Sequence, residues 1–205
     1  MKKEKIYSLF RKEYNLHLYN KMYVDGGKKK LGLQYVSNGI ACYPLENMPE
    51  FDSTTLPSLL GVPKDEPRGY SVTEAPDWLY TAIEDFHDSD IPLKSHCYDA
   101  FGYMVFQTYH NNMSDGFENV TIFVDPKYLT PILDEDCEYV LREVSENLRA
   151  VIVKAGLLTK AIIMPMTFIS DSQLDTKIEF IQDLYTELNF MRNNKKADEE
   201  QLTLL

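Results

Sequence analysis

The chain is short of cysteine, of long apolar runs and of positive charge, and each shortage narrows what it can be. Its three cysteines, Cys42, Cys97 and Cys137, are widely spaced and odd in number. They form no CxxC pair and no metal pattern, which points to a reducing compartment rather than a disulfide scaffold. No apolar stretch approaches the ~20 residues that a membrane span needs. The opening Met1-Lys2-Lys3-Glu4-Lys5 is charged but no apolar segment follows it, so it does not read as a secretory signal. A cytoplasmic protein that makes no use of membrane is expected. Lys and Arg number 21 against 32 Asp and Glu, a net charge of −11. Such a chain does not hold nucleic acid by bulk charge, so any DNA contact needs a local basic strip. Catalytic signatures are absent as well: there is no phosphate loop, no Gly-x-Ser-x-Gly and no paired-His motif. His87, Asp90, His96 and Cys97 lie near one another in sequence, but at no standard metal spacing. Neither an enzyme, nor a cofactor, nor a metal is expected.

What is present is the material for a core. Of the 205 residues 44% are hydrophobic, with 14 Tyr and 10 Phe, which suits one large domain or two small ones. Ile6, Leu9, Phe10 and Tyr14 predict an amphipathic helix over 4–14. Strands are expected over 16–24, 30–34 and 35–45, with turns at Asp25-Gly26-Gly27 and Asn38-Gly39. Asp52 is placed to cap a short helix reaching Leu60, which Gly61-Val62-Pro63 stops. The polar stretch 64–73 reads as a linker. A second amphipathic helix is expected over 76–86, with Trp78, Leu79, Ala82, Ile83 and Phe86 inward. Strands follow over 98–107 and 119–124, with a turn over 111–116. Asp125 then caps another short helix with Pro126 at its first position, where the missing N–H is harmless. Residues 137–154 fit either a helix or two strands. Leu174, Ile178, Ile181, Leu184, Tyr185 and Leu188 predict a helix over 172–191, and 193–200 is a charged tail.

One stretch organises the rest. Lys160 to Phe168 is nearly all apolar and contains Ile162-Ile163-Met164-Pro165-Met166. Its β-branched pair reads as a buried strand. Pro165 cannot donate to a ladder, so the strand is an edge or ends there. Two methionines around that proline fit either gap-filling in a last strand or a polarizable surface that accepts varied partners. An internal repeat accompanies it. Asp52 and Asp125 are 73 positions apart, and the same offset pairs Leu56 with Leu129, Leu60 with Leu133, Ile6 with Leu79 and Leu33 with Phe106. The order helix, strands, Asp-capped short helix thus occurs twice. The domain plan that follows is a first, trimmed unit over 1–73, a second over 74–170, a C-terminal helix over 171–192 and a tail over 193–205.

Ile163-Met164-Pro165-Met166 resembles the end of the last strand of bacterial sliding clamps, the ring-shaped processivity factors of DNA polymerases. Phe123-Val124-Asp125-Pro126-Lys127-Tyr128-Leu129 is similar to the Phe-Asn-x-Lys-Tyr-Leu helix of the last clamp domain. The resemblance is carried mainly by 119–168. It implies an α+β, DNA-clamp-like fold of two repeated domains, each an antiparallel sheet with two short helices. It also implies a peptide-binding cleft, with Met164, Pro165 and Met166 as one wall and Gly39 and Ile40 as the nearest equivalent of the other. The His-Arg pair of that second wall is absent from Ser37-Asn38-Gly39-Ile40-Ala41.

Three functional surfaces are then expected. The cleft would take a peptide from a DNA polymerase or another replication protein. Lys3, Lys5, Arg11 and Lys12 on the first helix, with Lys127, would face double-stranded DNA without reading its sequence, or are simply a solvated face. Asp77, Glu84 and Asp85 in the second copy depart from that basic pattern. The tail Gln201-Leu202-Thr203-Leu204-Leu205 resembles the Gln-Leu-x-Leu-Phe peptide that docks proteins on clamps, or is an ordinary apolar terminus. The leading expectation is a non-enzymatic sliding-clamp-like protein of DNA replication, of phage or mobile-element type. Three copies would supply the six domains of a ring. The alternative is a monomeric clamp-like adaptor or inhibitor that binds a host sliding clamp through Gln201, Leu202, Leu204 and Leu205. A protein that mimics DNA fits the charge and none of the motifs.

Overall fold

Alternating apolar residues punctuated by turn-forming Gly and Asn make most of this chain antiparallel sheet. The computed structural model describes residues 2–62, 69–100, 103–112, 116–133 and 136–166, with side chains except in 94–100, 107–112 and 116–121 and at 103 and 105. Helix α1 (Lys3–Phe10) leads into strands β1 (Asn15–Asp25), β2 (Lys28–Ser37) and β3 (Ala41–Pro44). Helix α2 (Thr55–Leu60), strand β4 (Gly69–Glu74) and helix α3 (Asp77–Ala82) follow. Next come β5 (Ile91–Pro92), β6 (Lys94–Ala100), β7 (Tyr103–Asn112), β8 (Gly116–Val124) and a 3-10 turn at Pro126–Tyr128. The last hairpins are β9 (Glu138–Ser145), β10 (Leu148–Ala155) and β11 (Leu158–Ile163). The class is α+β, dominated by one large sheet. Among the described residues no helix is long and apolar enough to cross a membrane.

The large sheet has eight strands in the order β4-β1-β2-β3-β11-β10-β9-β5, and β6-β7-β8 form a separate sheet of three. The first meander thus joins the last one edge to edge, through Ile163 opposite Ala41 and Ile162 opposite Cys42. The β1–β2 turn uses Gly26 and Gly27, both at positive φ (57° and 78°), the paired left-handed conformation that tight hairpins require.

Period-two alternation sends successive residues of each strand to opposite faces. Val151 and Val153 of β10 join a large cluster with Ile6 and Phe10 of α1, Leu56 and Leu60 of α2, and Phe106, Ile122 and Val124 of the small sheet. Ala150 and Ile152 join a second cluster with Leu79 and Ala82 of α3. Helices α1 and α3 therefore pack in different clusters on opposite faces. At eight residues α1 is too short to persist alone. Full burial of Ile6 and Phe10, worth about 1.5–3 kcal/mol each, is what holds it.

Several expectations are corrected. The stretch 64–73 is not all linker: Gly69–Glu74 is a strand parallel to β1, with Leu16 opposite Tyr70 and Leu18 opposite Val72. It is the sheet's edge, half-exposed on both faces, so it lacks a clean apolar alternation. The second helix stops at Ala82, and Phe86 is 80% exposed rather than inward. The strand expected over 98–107 is two strands, the end of β6 and the start of β7. Residues 138–155 form two strands, resolving that ambiguity against the helix. The C-terminal helix and the tail with Gln201, Leu202, Leu204 and Leu205 lie outside the described residues, as does the core of the turn at 113–115.

Candidate functional site

Three turns meet at one end of the large sheet. The first joins β2 to β3 through Asn38-Gly39-Ile40. Asn38 Oδ1 accepts from the Ile40 and Ala41 amides at 3.0 and 2.9 Å, and Gly39 supplies a φ of +86°. Asn38 Nδ2 also donates to the Tyr128 hydroxyl at 3.3 Å, tying this turn to the 3-10 turn. The second joins β9 to β10 through Glu146 and Asn147, where Asn147 takes the left-handed conformation (φ 61°) that Asn tolerates better than most residues. The third is the segment leaving β11.

That segment is shaped by Pro165. Strand β11 lies inside the sheet, between β3 and β10, and ends at Ile163, immediately ahead of the run that contains the proline. The Met164 amide donates to the Ile40 carbonyl at 2.8 Å. Pro165 has nothing to donate, and the next amide, of Met166, donates instead to the Phe123 carbonyl at 2.9 Å. The Met-Pro-Met segment thus leaves the large sheet and bridges to β8 of the small one. Ile40 is 45% exposed and Met166 and Leu148 are 37% exposed, so apolar surface remains at this end. Beside it lies a groove of about 540 Å³ lined by Glu143, Asn147, Leu148, Arg149, Met164 and Pro165.

The structure therefore brings Gly39 and Ile40 next to Met164, and places Met164 and Pro165 on a groove. It adds Leu148, Arg149, Asn147 and Glu143, which sequence reasoning missed. Asn147 after an acidic residue was a turn signal. Nothing in the sequence linked that turn to Pro165, because the link is the pairing of Val151 with Ile163.

A second depression, of about 590 Å³, adjoins across Glu143 and includes Asp88, Ser89, Ser145 and Glu146. Its wall is the loop after α3, and a buried ionic cluster holds that loop. Arg142 of β9, fully buried, makes a two-pronged pair with Asp90: Nε to Oδ1 at 2.5 Å and Nη2 to Oδ2 at 2.6 Å. Its Nη1 donates to the Thr81, Ala82 and Glu84 carbonyls, closing the C-terminal end of α3. Lys154 of β10 donates to the Asp85 carbonyl, and its Nζ sits 5.7 Å from the centre of the Phe86 ring. Burial pushes the Asp90 carboxyl up, but the hydrogen bonds and charge of Arg142 outweigh it and hold Asp90 below the usual carboxylate range. Burial, then the nearby Arg142 charge, push Lys154 down.

The residues assigned to DNA lie around α1. The Lys2 amide donates to the Pro131 carbonyl at 2.8 Å, so α1 begins beside the 3-10 turn that carries Lys127. Lys5, Arg11 and Lys12 are exposed. Lys3 Nζ donates to the Asn47 carbonyl at 3.3 Å, and Arg11 Nε to the Leu60 carbonyl at 2.9 Å, at the end of α2. Lys127 pairs with Asp125 at 3.0 Å and lies 4.7 Å from the centre of the Tyr128 ring. Its hydrogen bond to Asp125 raises its pKa. Asp125 also accepts from the Lys127 amide at 3.0 Å, the capping role its position suggested.

Burial pushes the Cys42 thiol far up and the Cys137 thiol up, which leaves both poor nucleophiles. Among the described residues no three His, Cys, Asp or Glu side chains gather as a metal site. No protein-family model, curated protein or solved structure matches the chain.

Proposed function

We propose that this chain is a non-catalytic, clamp-like docking protein of DNA replication, of phage or mobile-element type. Its groove beside Met164 and Pro165 takes a short apolar segment of a polymerase or another replication protein. One observation carries the reading. Met164, in the first of the two stretches that the clamp resemblance sets as facing walls, donates its amide to Ile40 in the second, and with Pro165 it lines a groove shared with β9 and β10, which Gly39, Ile40 and Met166 do not line. The groove next to them offers apolar side chains for anchors and Asn147 and Arg149 for polar contacts. A concave surface with a few apolar anchors and a few polar groups is how short peptides are held. The test is anisotropy of a fluorescent Gln-Leu-x-Leu-Phe peptide titrated with the full chain. Binding that falls at least tenfold in Met164→Asp, with an unchanged circular dichroism spectrum, is the expected result. Absence of binding, or equal binding by the variant, overturns the reading.

The monomeric adaptor is the second reading, and the state of the cations favours it. Lys3 reaches the Asn47 carbonyl, Arg11 the end of α2, and Lys127 is paired with Asp125, so three of five candidate DNA contacts already have partners within the fold. Light scattering of the chain, alone and with a bacterial sliding clamp, separates the two. A stable trimer alone supports a ring on DNA. A monomer that moves onto the added clamp, and ceases to once 201–205 are deleted, supports the adaptor.

A further inference from the structure

Resting on the docking reading above, we propose that the segment taken by the Met164–Pro165 groove carries Lys or Arg residues next to its apolar anchors. The apolar groove does not end at a neutral rim. It adjoins the second depression through Glu143, which lines both. That depression presents Asp88, Glu143 and Glu146, all exposed, and the loop forming its wall also exposes Glu84 and Asp85. A peptide leaving Leu148 and Met164 past Glu143 therefore enters an acidic channel.

Two of the three cations near this wall, Arg142 and Lys154, are turned inward; the third, Arg149, is exposed opposite Glu143 and offsets one of the carboxylates, leaving Asp88 and Glu146 of the depression and Glu84 and Asp85 of the loop in excess. Arg142 is fully buried on Asp90 and three backbone carbonyls, and Lys154 is 5% exposed with its ammonium on the Asp85 carbonyl. Their hydrogen bonds fix the loop in one shape, so its carboxylates are arrayed before a ligand arrives. Preorganisation of that kind lowers the entropic cost of binding. A basic flank gains from each carboxylate it meets, and an acidic flank is repelled.

The same charge decides between occupants. The chain's own apolar segment Gln201-Leu202-Thr203-Leu204-Leu205 follows directly on Asp198-Glu199-Glu200. Seated in this groove it would set three carboxylates against an acidic wall. The occupant is therefore a foreign segment with basic flanks.

The experiment uses the full chain and two fluorescent peptides in anisotropy titrations at low and at physiological salt. One peptide is residues 196–205 as they stand. The other carries Asp198→Lys, Glu199→Lys and Glu200→Lys. The basic peptide is expected to bind about tenfold more tightly at low salt, with the advantage shrinking as salt screens the flank. The protein variant Asp88→Lys/Glu146→Lys changes exposed loop and turn positions only. It should abolish the advantage and leave the weaker, apolar part of the binding intact. Equal or tighter binding of the native acidic peptide overturns the proposal, as does an advantage that survives the charge reversal. Failure of the docking reading looks different: Met164→Asp then leaves both peptides unaffected, or neither peptide binds at all.

Discussion

Two arginines close two helix ends in this protein, and they do so in different surroundings. Arg142 caps α3 from inside the structure, fully buried, with three carbonyls on one nitrogen and the Asp90 carboxylate on the other two. Arg11 caps α2 from the surface, its Nε donating to the Leu60 carbonyl, where the chain turns at Gly61 with φ of +66°. The exposed arginine lies where water can reach its guanidinium. The buried one has lost its water, so every N–H must find an acceptor and the charge must find a carboxylate. The lesson concerns division of labour. Cations that fix the shape around the acidic channel are inside, and those that can meet a partner are outside, where each contributes little to stability.

The largest effect should come from breaking the buried side of this contrast. Arg142→Ala removes the two-pronged partner of Asp90, which keeps only the His87 amide and Lys154 at 3.9 Å, and takes the side-chain donor from three carbonyls at the end of α3. Loss of one partner of a buried pair costs about 3–5 kcal/mol, which is a large part of a domain's stability. Chemical denaturation should show a matching fall in midpoint, and the loop after α3 should become protease-sensitive. Arg142→Lys should recover only part of this, because an ammonium cannot form the two-pronged contact. Wild-type stability after Arg142→Ala would mean that the cluster holds nothing in place.

Asp90→Asn is expected to cost somewhat less, about 1.5–3 kcal/mol for a hydrogen bond to a charged group, and its pH dependence sharpens the comparison. The folded-state pKa of Asp90 is held below the unfolded value of about 3.9. The stability it contributes is thus present above that value, and is lost as pH falls through the lower folded one. The gap in melting temperature between wild type and Asp90→Asn should accordingly be widest near neutrality and narrow below about pH 4. A gap that is constant across the acid range would show that the Asp90 charge is not what Arg142 requires.

How much of this was legible beforehand varies with how local each signal was. The β1–β2 hairpin could be read from Asp25-Gly26-Gly27, because two glycines at positive φ are a demand of the turn itself. Pro165 ending its strand and Asp125 capping the turn at Pro126 were legible for the same reason: the chemistry sits in the residue. The edge strand Gly69–Glu74 was not, since what makes it a strand is pairing with β1, more than fifty residues earlier. Phe86 was misread because helical spacing continues past Ala82 in the sequence while the backbone stops there. Arg142 did carry a signal, in phase with Val140 and Val144 on a face that should have been apolar. Its partner Asp90 could not be found without the fold. For the site, Met164 and Pro165 stood out by composition. Leu148 and Arg149 did not, because only the β10–β11 pairing carries them to the groove.

The smallest expected effect is at Arg11, and it is the one that bears on function. Arg11→Ala removes a hydrogen bond to the Leu60 carbonyl at a surface where water can replace the donor. It should therefore cost no more than about 0.5–1.5 kcal/mol, several-fold less than Arg142→Ala. Nonspecific binding of duplex DNA supplies the functional arm. If α1 lies on phosphates, as the clamp reading requires, losing one contact should lower the slope of log affinity against log salt by about one. A variant that keeps its stability and loses that unit of slope would place Arg11 on DNA as well as on α2. A variant that binds DNA with an unchanged slope would leave Arg11 as a cap alone, and shift weight from the ring to the adaptor.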